Sequence, residues 1–295
     1  MPNVSTKVGV IGLGAMGAPM ARNLARAGLL ASVWNRTHSK AAALAAELGV
    51  SCASDPADLA RHCDVVLTCV SADADLLAVI DLLIPGLDGD KLVIDTSTVN
   101  PATAIEIARR LAEIGCGFLD APVSGGVEGA KQGTLAIMVG GDARTLERAR
   151  STFEAIGKRI AHMGPVGSGQ STKAVNQIMC AGINQAVTEA LAFAEAEGLP
   201  LDKVLEVVSG GAAGNWFLDK RGAGMVRGEF PHGFKLALHH KDLEICKAIA
   251  ARHGVALPVV EMTLIHYARL MVAGYGDEDI SALFREKRRM FTETK

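Results

Sequence analysis

The chain has 295 residues, of which 49% are hydrophobic and 21% are charged, and its formal net charge is −2. These values describe a globular protein with room for two domains, and they lack the basic excess that favours a nucleic-acid or membrane-surface partner. No apolar run approaches the roughly 20 residues that are needed to span a bilayer.

The residues before Pro165 alternate short β-rich runs with alanine-rich helical stretches. Strands are predicted at 7–12, 31–35, 64–70, 91–97 and 115–123, and helices at 15–28, 39–49, 73–83 and 101–114. This rhythm predicts an α/β fold, with a Rossmann-type, doubly wound parallel sheet forming a dinucleotide-binding domain at 1–164.

The rhythm changes after Gly169, where helical patterns follow one another without strands. Helices are predicted at 170–197, 202–209, 234–253, 257–273 and 279–291. A helix over 170–197 would be about 42 Å long at 1.5 Å per residue, which suits an interdomain connector. We therefore predict an all-α domain for substrate binding and oligomerisation at 165–295, in a homodimer or homotetramer. Trp216 and Phe217 are interpreted as core residues, with an apolar wall of the site as the alternative.

A glycine-rich motif lies between the first predicted strand and the first predicted helix. Its sequence, GLGAMG, matches G-x-G-x-x-G, in which the glycines permit a tight turn, the approach of a pyrophosphate and close packing of helix on strand. An ordinary glycine-rich turn is the alternative, but the βαβ rhythm around the motif favours a dinucleotide site. The predicted cofactor-binding residues are Gly12, Leu13, Gly14, Ala15, Met16 and Gly17.

The end of the second strand indicates which dinucleotide is bound. NAD sites usually have Asp or Glu here to hold the ribose 2′-hydroxyl, whereas this chain has Asn35, Arg36 and Thr37. An arginine with a hydroxyl suits a 2′-phosphate, which arginine binds as a bidentate fork. We therefore predict NADPH as the preferred cofactor. NAD(H) stays open, because Arg36 could simply lie on a solvated turn.

Loops that follow the strands of such a sheet collect ligand-binding groups at its carboxyl edge. Val70 and Ser71 lie at the end of the strand predicted at 64–70, and Thr98 follows the strand predicted at 91–97. These three residues are therefore predicted to line the cofactor. Asp95 is either a further group of this kind or a cap of its own turn.

A lysine and an asparagine follow the glycine-rich turn of GPVGSGQSTKAVNQ, at 164–177. Lys173 and Asn176 lie three residues apart, so they share one face of the predicted helix. A nicotinamide transfers a hydride but no proton, and a lysine within hydrogen-bond reach of a carbonyl can supply that proton, while the asparagine amide orients the substrate. The alternative is a solvated lysine, the usual state on a helix surface. The position at the junction of two domains favours the catalytic role.

A further glycine-containing segment completes the candidate residues. In DAPVSGG, at 120–126, Ser124, Gly125 and Gly126 offer a hydroxyl and backbone amides that could bind a carboxylate, or they could form a plain turn.

The eight histidines include no HExxH spacing, which predicts no metal site. The six cysteines include no CxxC pair and the N-terminus lacks a signal-peptide pattern, which predicts reduced thiols and a cytoplasmic location.

Four motifs in this order resemble the β-hydroxyacid dehydrogenase family, which includes 3-hydroxyisobutyrate dehydrogenase, tartronate semialdehyde reductase and the glyoxylate/succinic semialdehyde reductases. They are GLGAMGAPMARNL at 12–24, DAPVSGG at 120–126, GPVGSGQSTKAVNQ at 164–177 and KDLEICKAIA at 241–250. The second and third are far more specific than the glycine motif. The WNRT stretch resembles the NADPH-using glyoxylate/succinic semialdehyde reductases more than the NAD-preferring members.

The resemblance implies a role for each matching residue. Lys173 is implied to be the general acid/base and Asn176 to help hold the substrate, while Ser124, Gly125 and Gly126 would bind its carboxylate. Thr98 would lie at the nicotinamide end and Lys241 near the cofactor, and Asp242 would organise the start of its helix.

Together these patterns predict an NADPH-dependent oxidoreductase with a small carboxylate substrate. It would reduce glyoxylate, succinic semialdehyde, tartronate semialdehyde or a similar aldehyde acid, or oxidise the matching hydroxyacid. Two alternatives stay open. Imine reductases share the N-terminal domain, but Lys173 argues against them; a non-catalytic NADPH-binding protein would need neither Lys173 nor Asn176.

Overall fold

The computed structural model describes residues 6–231 and 233–292. The chain forms two compact units, of which the first ends at Lys173 and the second begins at Ala174. Among the described residues, no helix is both long and apolar enough to cross a membrane.

The first unit is built on one sheet, which has nine strands over the described residues. The strands are β1 (Val8–Ile11), β2 (Leu30–Trp34), β3 (Ser51–Cys52), β4 (Val65–Thr68), β5 (Leu92–Asp95), β6 (Gly117–Asp120), β7 (Val123–Ser124), β8 (Leu135–Gly140) and β9 (Gly157–Gly164). The hydrogen-bonded order is β3-β2-β1-β4-β5-β6-β8, and β7 and β9 also pair with β8. The strands from β3 to β6 are parallel, whereas β8 runs antiparallel to β6 and β7.

Helices cover both faces of this sheet. They are α1 (Gly17–Arg26), α2 (His38–Leu48), α3 (Pro56–His62), α4 (Asp73–Leu83), α5 (Pro101–Ala112), α6 (Gly126–Gln132), α7 (Ala143–Arg148) and α8 (Arg150–Ile156). Successive side chains of a strand point to opposite faces, and along β4 Val65 and Leu67 enter one hydrophobic cluster while Val66 enters another. Continuous apolar runs therefore form strands that are buried on both faces, as parallel sheets require.

The regular secondary structure of the second unit is helical over its described residues, which also include one isolated β-bridge between Lys235 and Asp279. Its helices are α9 (Ser168–Ala196), which begins in the first unit, and α10 (Leu201–Ser209), α11 (Trp216–Arg227), α12 (Leu236–Ala251), α13 (Pro258–Val272) and α14 (Leu283–Thr292). The core surrounds the buried ring of Tyr267, whose hydroxyl lies 2.9 Å from Asn184 Nδ2 and 3.0 Å from His239 Nδ1. The predicted fold class, a Rossmann-type α/β domain followed by an all-α domain, is confirmed.

One helix of the second unit was not anticipated from the pattern. Helix α11 begins at Trp216, and it contains Gly222, whose position is explained by packing: a Cβ there would lie 2.6 Å from Leu205 Cδ2. The interpretation of Phe217 as a core residue is confirmed, since only 7% of it is exposed, whereas that of Trp216 is wrong for this chain, because 56% of it is exposed.

Candidate active site

The turn between β1 and α1, which is predicted to bind the cofactor, depends on glycine for its packing. A Cβ at Gly17 would lie 1.8 Å from the carbonyl oxygen of Gly12, so α1 packs against this turn only with glycine at that position. A Cβ at Gly14 would meet nothing within 4 Å, and Gly14 and Ala15 are exposed. The side chain of Met16, at the N-cap position of α1, makes no capping hydrogen bond. The space beside Gly14 is therefore open, as the approach of a pyrophosphate to the start of a helix requires.

The turn after β2 is tied to this loop by Asn35. Its Oδ1 accepts a hydrogen bond from Leu13 N at 3.0 Å, and its Nδ2 donates to Thr37 O at 3.1 Å. Arg36 is exposed, and its Nη1 lies 2.8 Å from Asp75 Oδ1, in the first turn of α4. Within the first turn of α2, all of which the structure describes, there is no acidic residue.

The loops after β4 and β5 are joined by a buried hydrogen-bond network. Asp95 Oδ1 accepts from Thr68 Oγ1 at 2.8 Å, from Ser97 N at 3.1 Å and from Ser97 Oγ at 2.6 Å. Ser97 Oγ in turn accepts from Val70 N at 2.8 Å. The structure thus gives Asp95 the role of a cap that fixes the loops bearing Val70 and Thr98. Ser71 is exposed next to Val70.

The carboxyl group of Asp95 is fully buried, and loss of solvation raises its pKa to about 6. Its hydrogen bonds to Ser97 and Thr68 act in the opposite direction but are outweighed. The second oxygen, Oδ2, has no hydrogen-bond partner among the residues that the structure describes. Folding therefore favours the protonated form of this group.

This shift predicts a pH-dependent contribution of Asp95 to stability. Because the folded pKa of about 6 exceeds the unfolded value of about 3.9, the contribution is full below pH ~4 and is lost as the pH rises through ~6. Two pKa units correspond to roughly 3 kcal/mol. Urea unfolding should show that the wild type loses about 2–3 kcal/mol relative to Asp95→Asn between pH ~4 and ~7.

The control for this prediction is Asp58→Asn. The pKa of the Asp58 carboxylate is lowered, and the largest cause is a hydrogen bond from the backbone amide of Ser54. Its contribution to stability has the opposite sign, present at neutral pH and lost on acidification. Parallel stability curves for the wild type and Asp95→Asn would contradict the assignment.

Lys173 lies against the predicted carboxylate-binding segment. Only 8% of the residue is exposed, and its Nζ donates to Val123 O at 2.9 Å. Val123 immediately precedes Ser124, the last residue of β7, and the backbone then turns through Gly125 (φ 134°) and Gly126 (φ 64°) into α6. The structure therefore brings Lys173 together with the segment of Ser124, Gly125 and Gly126.

Two further residues fix this arrangement, and the sequence reasoning missed both. Asp120 Oδ1 accepts from Gly167 N at 2.8 Å and Asp120 Oδ2 from Gln170 N at 2.9 Å, so the carboxylate holds the start of α9. Burial raises the pKa of Asp120. Gln170 Oε1 accepts from Val99 N at 3.1 Å, and its Nε2 donates to Ser97 O at 2.8 Å. Gln170 thereby forms hydrogen bonds to the residues on both sides of Thr98.

The predicted residues of the second unit form a chain of contacts of their own. Asn176 Nδ2 donates to Gln177 Oε1 at 2.7 Å, and Gln177 Nε2 donates to Asp242 Oδ2 at 2.6 Å. Lys241 Nζ lies 2.9 Å from Asp242 Oδ1. The expectation that Asp242 organises a helix start is wrong, because Asp242 lies inside α12, where it joins Lys241 to α9.

The Rossmann-type sheet and its glycine turn are typical of dinucleotide-binding proteins, and comparison with known proteins specifies the class. Residues 7–164 match the family model of the NAD binding domain of 6-phosphogluconate dehydrogenase. Residues 167–286 match the model described as NAD-binding of NADP-dependent 3-hydroxyisobutyrate dehydrogenase.

Relatives match over nearly the whole chain. The NAD-dependent L-serine dehydrogenase of Pseudomonas aeruginosa is 36% identical, over 94% of this chain and 96% of its own. The 2-hydroxy-3-oxopropionate reductase of Escherichia coli is 38% identical, over 85% of this chain and 87% of its own. The structure of Mycobacterium tuberculosis 3-hydroxyisobutyrate dehydrogenase with L-serine matches with a TM-score of 0.86 and 33% identity, covering 97% of this chain and 100% of that one.

The chain belongs to the β-hydroxyacid dehydrogenase family and is an NAD(P)-dependent oxidoreductase. The resemblance inferred from its four motifs is thereby confirmed. Solved imine reductases are more distant, at 21–22% identity, and their likeness shows the fold alone.

Proposed function

We propose that this enzyme uses NADPH in preference to NADH to reduce a small aldehyde acid, or to oxidise the corresponding hydroxyacid. Candidate substrates are glyoxylate, succinic semialdehyde, tartronate semialdehyde and similar compounds. One observation carries the proposal: Lys173 Nζ lies 2.9 Å from Val123 O, directly beside Ser124. A proton donor thus adjoins a segment suited to a carboxylate, which is the pair of groups that such a substrate requires.

In this proposal Lys173 is the general acid/base. The nicotinamide, when bound, supplies or accepts the hydride but carries no proton. The Lys173 ammonium gives a proton to the carbonyl oxygen during reduction, and the neutral Lys173 amine takes a proton from the hydroxyl during oxidation. Its bond to Val123 O holds the ammonium in place, so that the proton is delivered from a fixed position.

The substrate carboxylate is assigned to Ser124, Gly125 and Gly126. The positive φ angles of both glycines support this assignment, because they mark a turn between β7 and α6, and backbone N–H groups in turns can form an anion-binding concavity. Asn176, one turn after Lys173 on α9, is proposed to orient the substrate. These groups account for the binding of a small carboxylic acid. Which acid is the substrate is determined by assay.

The preference for NADPH is assigned to the turn after β2. Arg36 is exposed there, and Thr37 immediately precedes α2. The first turn of α2, which the structure describes in full, includes His38 and Lys40 and contains no acidic residue. This environment suits the 2′-phosphate, and it lacks the carboxylate that usually holds the 2′-hydroxyl of NAD. Thr98 is proposed to contact the nicotinamide end, and Lys241 to lie near the cofactor.

The test is NADPH consumption, and separately NADH consumption, with glyoxylate, succinic semialdehyde, tartronate semialdehyde and methylmalonate semialdehyde. We expect turnover with at least one aldehyde and a higher kcat/KM for NADPH. In Arg36→Ala the KM for NADPH should rise roughly 10- to 100-fold, because about 1.5–3 kcal/mol of charged hydrogen bonding is lost, while the KM for NADH changes little.

Other outcomes of this assay would change the assignment. An equal change for NADPH and NADH in Arg36→Ala would contradict the 2′-phosphate site. NADPH binding without turnover of any aldehyde would favour imine substrates or a non-catalytic binding protein, and adding cyclic imines to the panel separates these two.

Two statements about organisation are proposals as well. The first is a division into a dinucleotide-binding domain at 1–164 and a substrate and oligomerisation domain at 165–295. The second is a homodimer or homotetramer in the cytoplasm. Light scattering on the purified protein gives the number of subunits directly.

A further inference from the structure

An aspartate of α4 contacts the arginine that is proposed to select the cofactor. Strands β2 and β4 flank β1, with Trp34 and Thr68 both in register with Ile11, so the turns that follow them leave the same edge of the sheet. Arg36 Nη1 and Asp75 Oδ1 meet there at 2.8 Å. The side chain of Arg36 is 84% exposed and that of Asp75 is 31% exposed.

The neighbouring acid of α4 has a different function. Asp73 Oδ1 accepts hydrogen bonds from Asn100 N at 2.8 Å and from Thr103 Oγ1 at 2.6 Å, so it joins α4 to the start of α5. Asp75 makes its contact with Arg36 instead. An exposed ion pair of this kind contributes little to folding stability. Its effect on the charge available to a ligand of Arg36 is therefore the more consequential one.

We propose that Asp75 is a specificity-determining residue that limits the preference for NADPH over NADH. The inference rests on the proposed role of Arg36 as the ligand of the 2′-phosphate. That phosphate carries a charge of about −1.5 to −2 at neutral pH, and it must share the guanidinium with the Asp75 carboxylate. Two anions on one cation repel each other, whereas a 2′-hydroxyl brings no charge and is not opposed.

Coulomb's law sets the size of the effect. A carboxylate roughly 6 Å from a phosphate of this charge, in surroundings close to water, weakens binding by about 3- to 10-fold. The effect must decrease as salt screens the exposed charges. Removal of the Asp75 charge should therefore strengthen NADPH binding, and more so at low salt.

The experiment measures dissociation constants of NADPH and NADH for the full-length protein without substrate, from the change in cofactor fluorescence. Asp75→Asn removes the charge but keeps an oxygen that can accept from Arg36. Asp81→Asn is the matched control: it makes the same change of charge on the same helix, and Asp81 pairs with Arg110 of α5. Asp75→Ser serves as a second variant if the first is poorly folded.

We expect the dissociation constant of NADPH to fall about 3- to 10-fold in Asp75→Asn at low salt, with that of NADH changing less than about twofold. Asp81→Asn should change neither. An unchanged or weaker NADPH affinity in Asp75→Asn, or the same gain in Asp81→Asn, would overturn the inference.

Arg36→Ala, measured in parallel, separates this inference from the proposal on which it rests. If Arg36→Ala does not alter the ratio of the two dissociation constants, the 2′-phosphate site itself is wrong. If that ratio collapses in Arg36→Ala but is unaffected by Asp75→Asn, only the role of Asp75 is wrong.

Discussion

Replacing Lys173 by methionine is expected to lower kcat by roughly 100- to 10,000-fold, the range that a positioned general acid/base contributes. The dissociation constant of NADPH should change little. Methionine has a similar length without the charge, so it fills the buried site beside Val123 with little rearrangement. The loss is therefore one of proton transfer rather than of packing, and steady-state kinetics together with cofactor titration will distinguish the two.

The matched control for this prediction is Lys91→Met. Lys91 is partly buried, and its Nζ, like that of Lys173, donates to a backbone carbonyl, that of Cys63, at 2.9 Å. It lies immediately before β5, at the amino end of the strand, whereas Lys173 lies near the start of α9. Lys91→Met should retain full kcat. If Lys173→Met retained turnover as well, Lys173 would have no part in the chemistry.

The sequence predicts those parts of the site that local pattern encodes. The turn at Gly12 to Gly17 is recognisable because its glycines stand between an apolar strand and a helix. Lys173 and the segment at Ser124 are each recognisable as candidates. Their proximity has no local signal, because the contact between Lys173 Nζ and Val123 O joins positions 50 residues apart.

The residues that were missed act over similar distances. Asp120 caps α9 from 47 residues away, whereas a local cap immediately precedes its helix, as Asp55 precedes α3. Gln170 accepts a hydrogen bond from Val99 N, beside Thr98, and these two residues are 71 positions apart. Strand β9 was missed for another reason: its side chains are largely exposed, so it has no apolar alternation to reveal it.

Replacing Asp120 by alanine is expected to destabilise the protein and to slow catalysis together. Each carboxylate oxygen accepts one backbone amide of the α9 start, Gly167 N or Gln170 N. Hydrogen bonds to a charged group contribute about 1.5–3 kcal/mol each. Removal of a buried carboxylate also relieves its desolvation, which is the cause of its raised pKa. We therefore expect a net loss of about 1–3 kcal/mol in the free energy of unfolding.

The catalytic loss follows from the position of these amides on the helix. Gln170 lies three residues before Lys173, so a shift of the first turn of α9 moves the ammonium relative to the segment at Ser124. A displacement of about 1 Å can cost about 100-fold in rate. We expect kcat to fall roughly 10- to 100-fold in Asp120→Ala, and less in Asp120→Asn, which keeps one acceptor for the two amides.

Asp142→Ala separates positioning from stability. Asp142 also caps a helix of the first unit, since its Oδ1 accepts from Arg144 N and Thr145 N at 3.0 Å each, at the start of α7. Its loss should lower the stability measured by denaturant unfolding but leave kcat unchanged at a temperature where the protein is folded. If Asp120→Ala likewise lost stability and kept its kcat, Asp120 would only support the fold. A fall in kcat in Asp120→Ala but not in Asp142→Ala would mean that the buried Asp120 carboxylate sets the position of Lys173.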